Sequence, residues 1–136
     1  MAVDIGDYFT TDNETSGIWY EPVVNGKGIG IEFKILGNSS DQAIMAAEQY
    51  EKDYALTEKE TDVLKKTRME AKALTKRISA MVIDIRGKDG KEIAIKGKPL
   101  VYSKENVEMI LDGSKAIKSD IMKAFLDTSN FMTRKD

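Results

Sequence analysis

Gly26-Lys27-Gly28-Ile29-Gly30 is the stretch whose residue types come nearest to a chemical device, a glycine-rich loop able to cradle phosphate. It lacks the Gly-Lys-Ser/Thr ending of a P-loop, and it opens onto a strand where a dinucleotide fingerprint must open onto a helix. A hairpin turn accounts for these glycines better. Asp84 to Glu92 has the acid-and-glycine flavour of a calcium loop, but Arg86 and Lys88 stand where oxygen ligands would be needed. With no histidine and no cysteine in 136 residues, the chain has no Ser-His or Cys-His nucleophile pair. Histidine- and thiolate-held metals are excluded as well. Aspartates and glutamates fall mainly on the expected solvent faces of helices, where charge is usually just solvated. The sequence thus offers no catalytic residue, no cofactor and no metal site, and the emphasis passes to surfaces.

The strongest surface signal is an apolar stripe with a seven-residue beat. Leu64, Ala71, Ile78 and Ile85 fall seven apart, and Thr67, Leu74 and Met81 interleave them three residues later. One helix face would carry them all, in the arrangement a helix uses to bind another helix. The stripe can be the core of an intramolecular helix pair or an intermolecular seam, which would include a homo-oligomer. Leu64, Leu74, Ile78 and Met81 are therefore candidate partner-binding residues. Trp19 and Phe131 join them: Trp19 on an expected edge strand, Phe131 in the polar tail Thr128 to Asp136, which can dock on a partner or fold back.

Composition describes a soluble globular chain. The apolar share is 41% and the charged share 32%, with a net charge of −2. No stretch approaches the roughly eighteen apolar residues of a membrane span, and the N-terminus lacks the basic flank of a signal peptide. The absence of cysteine fits an intracellular chain, and a virion component would look the same. Acidic residues outnumber basic ones six to two over residues 1–38, balance nine to nine over residues 39–86, and trail them eight to ten thereafter. No dense basic patch with aromatics points to nucleic acid.

These residues must be positioned by an α+β arrangement. Residues 1–16 are polar and acidic and read as a flexible arm, with Tyr8-Phe9 able to tether it to a partner or to its own domain. Residues 17–136 read as a single domain. Ile18 to Val24 and Gly28 to Leu36 form an expected β-hairpin about Asn25-Gly26, with Pro22 marking the first strand as an edge and Trp19 packed on the face of Phe33. Ser39 with Gln42 forms a capping box that starts a long helical segment to Arg86. A second such pattern at Thr57-Glu58-Lys59-Glu60 favours a break into two antiparallel helices, because one helix would reach about 70 Å. Val82 to Arg86 continues the stripe yet alternates like a strand. A short strand at Glu92 to Lys96 follows. Two more helices come last, one capped by Ser103 and ended by Gly113, the other opened by Ser114 and running through Asp127.

Three stretches taken together resemble a known group of proteins. They are Ile18-Trp19-Tyr20-Glu21-Pro22 ahead of a strand ending in Ile35-Leu36-Gly37-Asn38-Ser39-Ser40; Asp89-Gly90-Lys91 with Tyr102-Ser103-Lys104-Glu105-Asn106-Val107 and Ile110-Leu111; and Ile121 to Phe125 with Asn130-Phe131. Their order is similar to that of small tailed-bacteriophage proteins described as tail assembly chaperone-like, from about Ile18 onward. The chain departs from the pattern where such proteins often show Gly-x-Asp-Ser before the helix, and it has no tryptophan near Ile83 to Ile85. The resemblance implies a non-enzymatic protein that binds tape-measure or tail-tube proteins in the host cytoplasm during virion assembly, with no membrane or nucleic-acid partner. It carries over no catalytic residue. The alternative is a structural virion protein of the phage head, neck or tail, contacting neighbouring virion subunits.

Overall fold

Asn25 and Gly26 both take positive φ, 54° and 77°, the type I′ geometry whose twist matches that of a hairpin. This computed structural model describes residues 2–133. Around the turn the hairpin is split in two. β1 (Ile18–Tyr20) pairs antiparallel with β4 (Ile31–Ile35), while β2 (Val23–Val24) pairs with β3 (Lys27–Gly28) nearer the turn. Pro22, which cannot donate to a ladder, falls in the gap between them. Val82 to Gly87 resolves as a strand, β5, and the sheet order β1-β4-β5 leaves β1 on an edge as proline predicted.

Trp19 lies on the opposite face from the one expected. The register sets Trp19 against Lys34 and Tyr20 against Phe33, so the side chain that shares the Phe33 face is Tyr20. Phe33, Ile35, Val82 and Ile85 turn to a core completed by Ile78, Met81, Val107, Leu111, Ile121 and Phe125. Tyr20 closes its rim, its hydroxyl donating to Asp120 Oδ2 at 2.6 Å.

The long helical segment is two helices, α2 (Asp41–Glu58) and α3 (Val63–Ala80), after a short α1 described below. Both starts differ from the expected caps. Ser40, one residue later than read, accepts from Ala43 N–H at 3.1 Å. Asp62 caps α3 by accepting from Leu64 and Lys65. Thr57 sits in the last turn of α2 with its hydroxyl donating to the Tyr54 carbonyl, so it ends a helix and does not open one. β6 (Ala94–Ile95) and β7 (Lys98–Pro99) form a small ribbon. α4 (Lys104–Gly113) and α5 (Lys115–Leu126) begin at Ser103 and Ser114 as their sequence requires.

Residues 1–16, read as an arm, hold a 3-10 turn at Ile5–Tyr8 and the helix α1 (Thr11–Ser16). Glu14 of α1 is buried; its carboxylate accepts from Thr10 and from the Ser39 amide and hydroxyl. Gly37 passes so close that a Cβ there would collide with the Glu14 side chain. Ser39 is recruited by this contact, which is why the cap falls to Ser40. The tail folds back: Phe131 is fully buried, and the Asn13 amide donates to its carbonyl at 3.0 Å. Met1 and residues 134–136, the ends of the expected arm and tail, lie outside the described residues.

Phe131→Ala empties a core position and should cost about 3–5 kcal/mol, read as a lowered denaturation midpoint. A midpoint unchanged from wild type would show that the tail is not part of the core.

Candidate partner-binding surfaces

The stripe divides where α3 leaves the core. Ile78 and Met81 are fully buried and Leu74 packs against them half-buried, whereas Leu64 is 69% exposed. Ile78, Met81 and Phe131 are thus interior residues: Ile78 and Met81 face the sheet, α4 and α5, and Phe131 is enclosed by the tail's packing on α1 and α5, so none of the three is offered at the surface. Leu64 is free because the hairpin projects beyond the sheet. Beside it Val63 is 75% and Leu56 58% exposed, so the turn between α2 and α3 carries an apolar tip. Leu56 and Val63 were not singled out in the sequence, since they stand off the seven-residue beat. The helix break puts all three at the turn end of the hairpin, with Leu56 also lining the groove beside Met69 and Ala73.

The base of the hairpin is held by polar staples from α4 and α5. Asp112 Oδ1 accepts from the Thr75 hydroxyl at 2.6 Å, and Lys72 reaches Asp112 and Glu108 at 3.4 and 3.3 Å. Burial raises the Asp112 pKa, but the Thr75 hydrogen bond and Lys72 outweigh it and hold the carboxyl below its ordinary range. Lys104 donates to the Ser79 carbonyl at 2.8 Å, satisfying a last-turn acceptor of α3, and burial pushes its ammonium pKa down. On the other side of α3, Arg77 lies over the Tyr50 ring at 5.1 Å, with its buried Nε unpaired.

A second surface is the outer face of the sheet. Trp19 is half-buried there between two cations, the Arg86 guanidinium 3.9 Å and the Lys34 ammonium 5.8 Å from the ring centre. Arg86 Nε donates to Glu32 Oε1 at 2.8 Å, so Trp19 is covered by an ion-paired plate. Next to it a groove of about 790 Å³ runs along β5, past Asp84, Arg86, Ile93 and Tyr102 to the exposed Val101. Lys88 N–H bonds Gly30, and by the antiparallel alternation the Ile85 amide then points away from β4. Asp84 accepts that amide at 2.9 Å, which blunts this edge against further strands.

Among the described residues no group of acidic side chains is placed to hold a metal ion, and no helix is long and apolar enough to cross a membrane. No protein family, curated protein or solved structure matches the chain.

A titration and a fluorescence measurement report on these contacts. Burial, helped by the hydrogen bond and charge of Asp120, pushes the Tyr20 hydroxyl up to about 12. A raised pKa favours the neutral form, so this stability is complete below pH 10 and is lost as pH rises from 10 toward 12. Tyrosine absorbance should show a late step that Tyr20→Phe removes and Asp120→Asn moves to lower pH; an unmoved step would break the Tyr20–Asp120 assignment. Arg86→Ala should shift the emission of the single tryptophan to longer wavelength and increase its quenching by iodide. Unchanged emission would mean that Arg86 does not cover the ring.

Proposed function

We propose that this chain is a non-enzymatic assembly chaperone of the tailed-phage kind. Its α2–α3 tip holds an apolar helical stretch of an elongated tail protein until assembly buries that stretch. The observation that supports this reading is the division of the stripe: its root is core, and its outer end, with Leu56, Val63 and Leu64, is apolar surface on a projecting arm. Helix-on-helix recognition uses apolar anchors of this kind, with charged flanks that set orientation. Trp19 fits less well as an anchor, because Arg86 and Lys34 already occupy its ring.

Binding to a tape-measure protein encoded in the same genome, measured by calorimetry, tests the proposal. Leu64→Asp should lose at least tenfold in affinity while retaining the wild-type circular dichroism, whereas Ile78→Asp should unfold the chain. Wild-type affinity in a folded Leu64→Asp variant would refute the tip as the contact. Mass spectrometry of purified particles separates the rival: a chaperone is missing from them, and a structural virion protein is present in fixed copies.

A further inference from the structure

The balanced charge of the helical segment conceals a division. α2 carries Asp41, Glu48, Glu51, Asp53 and Glu58 against Lys52, while α3 carries six basic residues against Glu70. α2 therefore carries a surplus of acid and α3 a surplus of base. α2 packs against α3 and makes no comparable contact with any other element, so most of its circumference is free. On that free side Ile44, Glu48, Glu51, Ala55 and Glu58 follow at spacings of four, three, four and three, and all are exposed. They form an acidic stripe with an apolar anchor, Ile44, that is 59% exposed; Glu48 within it pairs with Lys52 at 3.7 Å.

The surface complementary to this stripe is on the same molecule. A groove of about 190 Å³ lies between the helices, floored by Leu56, Met69 and Ala73 and edged by Lys72 and Lys76, with Asp53 its acid. A smaller hollow of about 80 Å³ continues it past Tyr50 toward Ala46 and Ala80. Lys76 is exposed and makes no ion pair among the described residues; Lys65, which pairs with Glu60 at 3.5 Å, extends the basic row by helical spacing. The acidic stripe cannot reach the groove of its own hairpin, because α2 forms one wall of it.

We propose that the groove takes the acidic face of α2 from a second copy of this chain. The contact is head-to-tail, so each copy offers one groove and one stripe, and association builds rings or open chains. Because the pairing rests on exposed charge around a small apolar floor, it weakens as salt rises. This inference does not depend on the chaperone reading, since its readout is the purified chain alone.

Sedimentation velocity over a range of concentration and ionic strength tests it. Wild type should associate at low ionic strength and dissociate as salt is added. E48K/E51K/E58K and K65E/K76E should each be monomeric. Mixed in equal amounts they should associate again, because each reversed stripe then meets an oppositely charged groove. A folding defect cannot produce that rescue, and the wild-type series is decisive even if a variant fails to fold. Wild type that stays monomeric at every concentration and ionic strength would overturn the proposal. So would folded variants whose mixture stays monomeric.

Discussion

Met81 is the joint on which the rest of the structure depends. α3 ends at Ala80 and β5 starts at Val82, so a single residue connects the helical arm to the sheet. Its amide donates to Ile78 and its carbonyl accepts from Leu36, while its side chain is fully buried. A connection this short cannot swing without breaking both hydrogen bonds and opening the core beneath Phe33 and Val82. The direction of the hairpin relative to the sheet is therefore set by the same packing that stabilises the domain. The staples from Asp112, Lys104 and Lys118 add polar restraints along the lower half of α3.

This anchorage explains why one stripe has two environments. Below Leu74 the apolar positions meet the sheet, α4 and α5, and their burial contributes stability. Above it the same beat runs past the edge of those elements and Leu64 meets solvent. α2, packed mainly on α3 with Ala43 reaching the core, carries acid on its outer face, while α3 carries the balancing base. Each helix leaves its surplus charge facing outward. A rigid arm with an apolar tip and sign-separated flanks suits recognition of other helices.

Much of this was legible in the chain. Ser103 and Ser114 cap the helices they were expected to cap, Asn25-Gly26 turns the hairpin, and the helical segment breaks in two. The caps and the turn rest on local signals whose partners are within a few residues; the break was expected at Thr57, which ends α2, whereas Asp62 opens α3. What could not be read depends on distant partners. Ser39 yields its cap to Ser40 because Glu14, from a segment with no apolar periodicity, claims its amide and hydroxyl. Trp19 changes face because register, and not alternation alone, decides what lies opposite Phe33. Val82 to Arg86 is a strand because β4 offers a partner, which no window of five residues reveals. The charge division of α2 and α3 disappears in any sum taken across the break.

Amide hydrogen exchange, measured with and without the tape-measure protein, tests most directly the claim that the hairpin is rooted in the core and binds by its free length. Slow exchange is expected across residues 74–87 in the free chain, unchanged by the partner, with new protection confined to the outer hairpin, about residues 51–72. New protection at Trp19, Glu32 and Arg86 on the outer sheet face, with none in the hairpin, would contradict it.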